Sequence, residues 1–573
     1  MHDSPRHAEP SNASEIVILG DKHHQPVHLA LTPDGLVIVK RKPGSLHSLK
    51  LGNASASSTR LIPYRSLLSA TLTTISSASH HTATQGQHQY RLTICALVTA
   101  SKSEAERKDK AKSRLWSLSG TVTPADSHHD FEQLSVSDRR AEDWVKLAEE
   151  RAYAGVERSR KFHVVLNPIG GKGLAKRAWE TAVQPVLDAA HVSYKVSLTG
   201  PPGSPTHAYQ LGLSHSPSEY DALISISGDG IVHELLNGLA AQPGRGRKAL
   251  RETPIVVVPT GSGNALANSV VGNDRSGDWK ACALVALKGN PIPIDLCSVT
   301  QQGGKRIFSF LTQAFGLMAD LDLGTEHLRF LGDFRFTLGY IKGAVTRRRY
   351  PMKLQVLVES SSKNEIARRY NENLAHPRET PSSIAAQNGN EIPPLEYGYP
   401  DDPLPAELED EMNSKRYLDH FPKDGQLDGE GKWWTIDLTG DSKRQGVFFL
   451  YGGKMPWISK DLQMFPPAEP ASGLLDLCLV APMSPLEALT AMDGSDTGSL
   501  YHHPAVLYLK TRAYRLVFPH AGQHANQEGE LGYVSIDGEK IEHRDFNVEV
   551  HQGLARIMVF DGKLAGSHPI QGV

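Results

Sequence analysis

Three short glycine-rich segments have the composition of phosphate-binding turns. They are NPIGGKG at 167–173, SGDG at 227–230 and PTGSGNALA at 259–267, and each follows an apolar run and precedes a helical pattern. Small residues let backbone N–H groups approach an anion, and the N-terminus of a helix favours negative charge. The first segment matches neither GxxxxGK[ST] nor GxGxxG, although it adds the positive charge of Lys172. One such segment is equally typical of a structural turn, whereas three within about 100 residues favour a nucleotide or phosphate site.

Asp229 is the candidate for acid–base chemistry. Glycines flank it in SGDG, and the residues that follow, IVHELLNGL, carry apolar side chains at helical spacing. A carboxylate at the corner between a strand and a helix can take a proton from an alcohol, or hold Mg²⁺ through water. The alternative is an N-cap, in which the side chain accepts hydrogen bonds from free N–H groups at the start of the helix.

Charged residues in the segment ADLDLGTEHLRFLGDFRFTLG, at 319–339, could contact a polar ligand. Asp320 and Asp322 lie in an apolar setting, and Arg329 and Arg335 follow on a predicted helix over 328–345. Arginine suits phosphate because its planar guanidinium donates two hydrogen bonds at once. The alternative is a set of paired charges on an amphipathic helix.

Three further patterns have ordinary structural explanations. SIDGE at 535–539 is typical of a type I′ hairpin turn. The basic run in TRRRY, at 346–350, either offsets the dipole at the end of the predicted helix or contacts an anionic membrane. No spacing of the 26 histidines matches HExxH or another metal-ligand pattern, so we assign no metal-binding residues.

Alternating strands and helices must position the glycine-rich segments. From 161 onward the strands FHVVLN, VSYKVSL, DALISIS and PIVVVP alternate with helical stretches, which predicts a parallel, doubly wound α/β sheet. Ligands of such sheets bind at the carboxyl ends of the strands, where the glycine-rich segments lie. After about 298 the pattern is mostly β and predicts an antiparallel β-sandwich. Before 158, short strands followed by one helix predict a β-rich extension, for which a PH-like module is one interpretation.

Composition excludes several classes of protein. The 573 residues carry a net charge of -2, so there is no basic field that would indicate nucleic acid binding. The four cysteines, Cys95, Cys282, Cys297 and Cys478, form no CxxC pair and lie in apolar runs, which is typical of reduced thiols in the cytosol. No apolar run approaches the ~20 residues of a transmembrane segment, and the N-terminus does not read as a signal peptide. We expect a cytoplasmic protein that can still dock on a membrane surface.

The motifs, in their order along the chain, resemble those of sphingosine kinases, within the wider diacylglycerol kinase catalytic family. The resemblance rests on NPIGGKG, SGDGIVHELLNGL, PTGSGNALA, the DLDLGTEHLRFLGDFRFTLG block and SIDGE, and it covers about 158–345 and 445–560. SGDG…HE and GSGNALA are typical of the wider family. The RFLGDFRFTLG block favours sphingosine kinases over ceramide or diacylglycerol kinases.

The resemblance implies a two-lobed lipid kinase that uses ATP and Mg²⁺. We expect a β-rich extension over 1–157, a nucleotide-binding lobe over 158–297 and a β-sandwich lobe that binds the lipid over 298–573. Within that last lobe, 359–431 is rich in Pro, Asn, Glu and Ser and is expected to be a disordered insertion. The implied substrate is a sphingoid long-chain base, phosphorylated on its primary hydroxyl, with peripheral membrane contact and no nucleic acid partner.

The resemblance also implies roles for single residues. Asp229 would be the catalytic base, and Asp322 would bind the amine and hydroxyl of the lipid head group beside Ser227, Gly228 and Gly230. The implied nucleotide contacts are Asn167, Pro168, Ile169, Gly170, Gly171, Lys172, Thr199, Glu234, Gly261, Ser262, Gly263, Arg329, Arg335, Asp537, Gly538 and Glu539. The two arginines of that set would contact phosphates, and its last three residues would reach the nucleotide from the second lobe.

This chain departs from the family pattern at three places. Ile169 stands where the family usually has arginine, which removes one side-chain contact to phosphate. Gly200-Pro201-Pro202 replaces the family's Glu-Arg after Thr199, with extra residues beyond it. Thr260 replaces a common alanine, a change that we expect to be benign.

Two other functions compete with a sphingoid-base kinase. A kinase for ceramide or diacylglycerol would have little use for Asp322, because an amide or ester lacks the free amine that attracts a carboxylate. A non-catalytic lipid-binding scaffold would not need Asp229, Glu234 or the two arginines. The apolar residues near Asp322 could line a cavity for the lipid chain or form ordinary core; they are Phe308, Phe310, Leu311, Phe315, Leu317 and Met318.

Overall fold

The computed structural model of the protein describes most of the chain. The described residues are 15–20, 26–40, 59–75, 89–99, 113–123, 134–170, 173–324, 339–340, 343, 345–346, 348–376, 389–402, 416–417, 421–427, 431–439, 446–519 and 532–571. They belong to two compact units. One is Met1–Arg160 with Glu180–Ser193, and the other is Lys161–Trp179 with Tyr194–Val573.

The first unit is an antiparallel sheet with one long helix. Its strands are β1 (Glu15–Gly20), β2 (Pro26–Leu31), β3 (Leu36–Lys40), β4 (Thr59–Ile62), β5 (Leu67–Ile75), β6 (Gln89–Thr99) and β7 (Ser113–Thr123), in the order β4-β3-β2-β1-β7-β6-β5. Helix α1 (Leu134–Ala152) buries Ala141, Trp144 and Ala148, which share one helical face and pack into the core of the unit. The predicted strands and helix are present, and the PH-like identity stays a prediction.

The second unit begins with a parallel sheet. Its strands are β8 (Lys161–Leu166), β9 (Ser193–Leu198), β10 (Ala222–Ser227) and β11 (Ile255–Pro259), in the order β9-β8-β10-β11. The helices of this part of the chain are α2 (Ala175–Ala178), α3 (Gln184–Ala189), α4 (Ala208–Leu213), α5 (Asp229–Ala240), α6 (Gly246–Glu252), α7 (Ala265–Val271) and α8 (Trp279–Lys288). β10 pairs in parallel with both β8 and β11, as the alternating pattern predicts.

The helical stretch between β8 and β9 is interrupted by a π-helical turn, and its two parts belong to different units. A π-helical turn, Trp179–Val183, joins α2 to α3. Residues Glu180–Ser193 belong to the first unit, where Ser69 Oγ on β5 donates a hydrogen bond to Ala189 O at 2.6 Å. The sequence analysis assigned this stretch to the nucleotide-binding lobe. Local periodicity predicts a helix, but it does not predict which sheet the helix packs against.

The strands after 289 are mostly antiparallel. They are β12 (Asn290–Gln301), β13 (Ile307–Ser309), β14 (Thr312–Gly316), β15 (Lys353–Ser360), β16 (Arg416–Tyr417), β17 (Lys432–Asp437), β18 (Phe449–Gly453), β19 (Leu475–Val480), β20 (Val506–Val517), β21 (Val534–Ile536), β22 (Glu539–Ile541) and β23 (Phe546–Val559). β23 pairs with β12 and β20 and also meets β11 in parallel, at Ile557 and Ile255. The described strands of the second unit therefore form one sheet of sixteen strands. The mixed α/β class is confirmed, whereas the separate lobes and the β-sandwich stay predictions.

Three helices accompany these strands: α9 (Leu317–Gly324), α10 (Lys363–Ala375) and α11 (Pro485–Ala491). Of the six apolar residues near Asp322, all but Met318 are buried, and Met318 packs partly buried against the main core. Most of the predicted helix over 328–345 lies outside the described residues. Among the residues that the structure does describe, no helix is both long and apolar enough to cross a bilayer.

The prediction of disorder over 359–431 is wrong for part of that range. Helix α10 buries Ile366, Ala367 and Tyr370, so a polar composition conceals an amphipathic helix. Residues 389–402 are held through their backbone, since Arg515 Nη2 donates to the carbonyls of Tyr399 and Asp402 at 3.1 and 3.2 Å. That partner is more than 100 residues away, which is why local composition could not reveal it.

Candidate active site

The three glycine-rich segments lie together at the carboxyl ends of neighbouring strands. Asn167 follows β8, and its N–H donates to the carbonyl of Ile226 on β10 at 3.3 Å. Thr260 follows β11, and its N–H donates to the carbonyl of Ser227 on β10 at 2.9 Å. The backbone hydrogen bonds of the parallel sheet thus continue past its last residues and bring the three turns to one edge.

Two glycines in these turns touch backbone to backbone. A Cβ added to Gly261 would lie 2.6 Å from Gly228 Cα, and a Cβ added to Gly228 would lie 3.2 Å from Gly261 Cα. Real Cβ atoms do not approach backbone at 2.6 Å, so any other residue at 261 would push the two turns apart. Glycine is required here for a close approach of backbone and not for a positive φ.

Asn264 closes the third glycine-rich segment. Its backbone is left-handed, with φ of 53°, a conformation that asparagine tolerates better than most residues. Its side-chain Oδ1 accepts from Gly261 N–H and its Nδ2 donates to the Gly261 carbonyl, each at 2.9 Å. The turn that contains exposed Ser262 and half-buried Gly263 is therefore fixed before α7 begins.

The carboxylate of Asp229 joins two helix N-termini. Asp229 is the first residue of α5, and its oxygens accept hydrogen bonds from Ala265 N–H at 2.9 Å and Leu266 N–H at 3.1 Å. The capping role that sequence offered as an alternative is thus real, but the helix capped is α7 and not its own. Each carboxylate oxygen keeps a second lone pair, so capping leaves Asp229 able to accept a proton.

The surroundings of Asp229 make it a stronger base than an exposed carboxylate. Burial by the surrounding protein raises its pKa, the two backbone N–H groups oppose that shift, and the negative charge of Asp537 adds to it. The residue nevertheless retains partial access to solvent, as a group that meets a substrate must. Its neighbour Ser227 is buried and donates its hydroxyl to the Gly228 carbonyl at 2.8 Å.

Glu234 lies five residues further along α5, near His207 and Glu539. Burial raises the pKa of Glu234, nearby His207 opposes the shift, and the negative charge of Glu539 increases it. His207 Nε2 lies 3.2 Å from Glu234 Oε2, but that buried oxygen accepts no hydrogen bond in proper geometry. Glu234 therefore has capacity for a further donor, and its repulsion from Glu539 would be relieved by a cation.

The first glycine-rich segment forms a compact turn. Asn167 Oδ1 accepts from Ile169 N–H at 3.3 Å and from Gly170 N–H at 3.0 Å. Pro168 and Gly170 are half-buried, whereas the Ile169 side chain is 84% exposed. Gly171 and Lys172 lie outside the described residues.

Thr199 follows the edge strand β9. Its N–H donates to the Leu166 carbonyl at 2.9 Å, which aligns it with the end of β8. The glycine-proline segment that departs from the family pattern turns back at once, because Gly200 N–H donates to the Thr206 carbonyl at 3.0 Å. The inserted residues therefore form a closed loop before His207, at the start of α4.

The SIDGE motif is a hairpin turn, as its sequence indicates, between β21 and β22. Asp537 has a left-handed backbone with φ of 52°, and its side chain is fully buried. Its two oxygens accept hydrogen bonds from Ser309 Oγ, from the backbone N–H groups of Phe310, Leu311 and Thr312, and from His233 Nδ1, at 2.6–3.0 Å. Gly538 and Glu539 are exposed at the turn. A nucleotide contact at this motif, which stays a prediction, would fall to these two residues and not to the Asp537 side chain.

The two aspartates of the DLD motif have different surroundings. Asp320 accepts hydrogen bonds from Arg348 Nη1 at 3.0 Å, Tyr350 OH at 2.6 Å and Tyr533 N–H at 3.0 Å. Asp322 is half-buried and accepts from Ser535 Oγ at 2.9 Å. These three hydrogen bonds give Asp320 a structural role. Arg348, which belongs to the basic run at 346–350, pairs with Asp320.

The SIDGE turn lies beside both candidate acidic sites. A Cβ added to Gly230 would lie 3.5 Å from Glu539 Oε1, and a Cβ added to Gly538 would lie 3.7 Å from Asp322 Oδ2. Residues separated by more than 200 positions therefore border one region with Asp229. Arg329 and Arg335 lie outside the described residues, so their phosphate contacts stay predictions.

Sequence reasoning missed four residues of this region: His207, His233, Asn237 and Ser309. His233 follows Asp229 by four residues, so helical spacing places both on one face, and that signal was available. Asn237, one further turn along, both donates to and accepts from the Phe308 backbone, at 2.8 and 2.9 Å. Nothing in the local sequence around Ser309 indicates its contact with Asp537.

Comparison with known proteins identifies the family. Residues 161–299 match the diacylglycerol kinase catalytic domain. The chain is 30% identical over 402 residues to sphingoid long chain base kinase 4 of Schizosaccharomyces pombe, covering 70% of this chain and 75% of that protein. It is 29% identical over 462 residues to sphingoid long chain base kinase 5 of Saccharomyces cerevisiae, covering 76% of this chain and 64% of that protein.

A mammalian relative matches over a shorter region. The chain is 38% identical over 208 residues to human sphingosine kinase 2, covering 35% of this chain and 31% of that protein. The identity with the fission yeast relative extends over most of both chains, and the match to the catalytic domain, at 161–299, includes the glycine-rich segments at the strand ends. This protein therefore belongs to the family of sphingoid long chain base kinases.

Proposed function

We propose that this protein transfers the γ-phosphoryl group of ATP to the primary hydroxyl of a sphingoid long-chain base. The observation that carries the proposal is the position of Asp229, a carboxylate of raised pKa where two glycine turns meet. The yeast relatives, which are named sphingoid long chain base kinases, support the substrate class.

Asp229 would act as the base. It takes the proton of the primary hydroxyl while the hydroxyl oxygen attacks the γ-phosphorus, and the bond to the β–γ bridging oxygen breaks to release ADP. Phosphoryl transfer depends on positioning and on neutralising charge more than on covalent chemistry by the protein. The raised pKa of Asp229 favours this role, because a general base is more effective when its pKa lies close to the pH of the solution.

The nucleotide would bind across the ends of β8, β10 and β11. The turns that contain Asn167 and Gly261 meet there, and the loop that contains Ser262 and Gly263 is fixed by Asn264. Backbone N–H groups in such turns bind phosphate without a charged side chain. Thr199 and Glu234 would make further contacts, and Glu234 has an oxygen free to accept a donor from the nucleotide.

Acidic groups of this region would suit a Mg²⁺ ion. Among the described residues, no three His, Cys, Asp or Glu side chains are placed to bind a metal ion by themselves. Mg²⁺ in such enzymes takes one or two carboxylates and completes its shell with phosphate oxygens and water. Glu234 and Glu539, which repel each other here, are the pair that would hold it. When bound, the ion neutralises the charge that develops on the phosphates.

Asp322 would bind the amine of the lipid head group. It lies on α9 beside the SIDGE turn, and its Oδ2 accepts a hydrogen bond from the hydroxyl of Ser535. A carboxylate forms charge-assisted hydrogen bonds with an ammonium group. Because ceramide and diacylglycerol carry no ammonium group, this residue favours a sphingoid base.

We also propose that the enzyme works at a membrane surface, because its lipid substrate has a long hydrocarbon chain. Three apolar side chains support this: Val345 is 62% exposed, Leu486 73% and Leu489 42%. Tyr340, near the first of them in the chain, donates its hydroxyl to the Ala488 carbonyl of α11 at 3.0 Å. Sedimentation with phosphatidylcholine vesicles checks this, and equal binding by the wild type and by Leu486→Ser would argue against these residues as the contact.

The decisive experiment is a labelled-ATP assay with Mg²⁺ and a panel of sphingosine, ceramide and diacylglycerol. We expect label on sphingosine alone, and its loss in Asp229→Asn. Label on ceramide or diacylglycerol would retain the mechanism and refute the substrate assignment. Binding of sphingosine without any phosphorylation would instead support a non-catalytic lipid-binding scaffold.

A further inference from the structure

The buried carboxylate of Asp537 connects distant parts of the second unit through its hydrogen bonds. Four of its five hydrogen-bond donors come from residues 309–312, at the junction of β13 and β14. The fifth, His233 Nδ1, comes from α5 and lies 2.8 Å from Asp537 Oδ2. The peptide N–H of Asp537 also donates to the Thr312 carbonyl at 2.8 Å. The SIDGE turn is therefore fixed to the antiparallel strands by many contacts, and to α5 through His233.

The position of His233 is itself constrained. The residue is 8% exposed, and Asn237 Nδ2 lies 3.3 Å from its Nε2. The orientation of the Asn237 amide is set by Phe308, whose N–H and carbonyl both pair with it. The imidazole thus has a defined partner on each side, which an isolated surface histidine would lack.

The hydrogen bonds of Asp537 set the distance between the Asp229 corner and the SIDGE turn, two parts of the site that the reaction would use. Asp229 and Gly230 begin the same helix that carries His233, whereas Gly538 and Glu539 directly follow Asp537. Glu539 approaches Gly230, and Gly538 approaches Asp322. A change in the distance between His233 and Asp537 would therefore move the Asp229 corner relative to the turn that borders Asp322.

We propose that His233 is a positioning residue for phosphoryl transfer, which holds the SIDGE turn against the Asp229 corner through Asp537. The proposal rests on the proposed function, since it assigns a role in that same reaction. His233 does not touch the reacting atoms, so it acts by geometry. Misplacing reacting groups by about 1 Å is enough to lower a rate about 100-fold.

Two conservative variants separate this role from a general contribution to stability. His233→Asn places an amide N–H close to the position of Nδ1 and can still donate to Asp537. His233→Gln carries the same amide one methylene further out, which displaces the donor. We expect His233→Asn to keep kcat within about 3-fold of the wild type, and His233→Gln to lower kcat about 100-fold with smaller changes in KM.

A control variant measures the effect of lost stability alone. Thr511 is buried, and its hydroxyl donates to the Leu357 carbonyl at 2.6 Å, within strands that do not border the Asp229 corner. Thr511→Val removes that hydrogen bond and should lower Tm while leaving kcat near the wild-type value. Each variant is assayed well below its own Tm, with kcat and both KM values measured for ATP and sphingosine.

The outcomes distinguish the two proposals. If the wild type phosphorylates no sphingoid base, the proposed function fails, irrespective of His233. If the wild type is active and the Asn and Gln variants have equal kcat, His233 has no positioning role. A loss of kcat in Thr511→Val that matches the loss in His233→Gln would likewise overturn the proposal, because activity would then follow stability and not geometry.

Discussion

Asp229 Oδ2 accepts the N–H of Ala265 at 2.9 Å, so the carboxylate that begins α5 also caps α7. One side chain thereby joins the second and third glycine-rich segments, which approach each other at Gly228 and Gly261. The group that would act as the base is held by backbone N–H donors and does not depend on a flexible side-chain partner. Its orientation is therefore set before a substrate binds.

Replacing Asp229 by asparagine should abolish transfer and weaken the fold modestly. Loss of a general base lowers a rate by about 10²–10⁴-fold. The amide nitrogen would face one of the two N–H donors of α7, which costs about 1–3 kcal/mol of unfolding free energy. Labelled-ATP turnover and urea unfolding measure the two effects, and retained turnover would remove Asp229 from the mechanism.

Asp322 and Asp320 should respond differently to the same substitution. Asp322→Asn should raise KM for sphingosine about 10- to 100-fold and leave KM for ATP unchanged, because a charged hydrogen bond to the amine is lost. Asp320→Asn should instead lower Tm, because Arg348, Tyr350 and Tyr533 all donate to Asp320. An unchanged KM for sphingosine in Asp322→Asn would show that the head group binds elsewhere.

Gly261→Ala should separate the two glycine turns and lose most activity. The added methyl would lie 2.6 Å from Gly228 Cα, which is backbone and cannot rotate away. Gly277→Ala is the matched control, since an added Cβ there meets nothing within 4 Å. We expect kcat to fall at least about 10-fold in the first variant only, and equal kcat in both would mean that the turns can shift without consequence.

Lys454 and Asp295 test the cost of breaking a buried ion pair. Both side chains are 0% exposed, and Lys454 Nζ lies 2.8 Å from Asp295 Oδ2. Lys454→Met leaves the carboxylate buried without its cation, which should lower the free energy of unfolding by about 3–5 kcal/mol. The exposed pair Arg368–Glu372 gives the comparison, where Arg368→Ala should cost less than about 1 kcal/mol. Similar costs in denaturant unfolding would contradict this difference.

Two buried histidines should make the protein less stable in mild acid. Nδ1 atoms of His163 and His215 lie 3.3 Å apart, and burial lowers the pKa of each to about 4 from an ordinary 6.5. Between these values the unfolded chain binds protons that the native protein does not, so stability is complete above about pH 6.5 and declines as pH falls toward 4.

The expected loss is about 2 kcal/mol per histidine between pH 8 and pH 5. Urea unfolding at both pH values measures it. His215→Gln should reduce the pH dependence of the free energy of unfolding, because it removes one of the two buried groups whose pKa is lowered. A wild type that is equally stable at pH 5 and pH 8 would contradict the assigned shifts.

The sequence by itself predicted the parallel strands, the glycine turns at their ends and the family to which the chain belongs. These features are local: apolar runs, glycines at strand–helix corners and their order along the chain determine them. It also placed Asp229 at such a corner and left open whether the residue is a base or a cap. Hydrogen bonds with Ala265 and Leu266 show that it caps α7 while remaining half-buried.

Only the tertiary structure decided which acidic residues serve the fold and which border the site. Asp320 and Asp322 are two residues apart, yet the first is committed to Arg348 and Tyr350, and the second lies beside the SIDGE turn. Asp537 is occupied by partners more than 200 residues away. Burial and hydrogen bonding depend on these distant neighbours, and a local pattern contains no information about residues that approach only when the sheet closes.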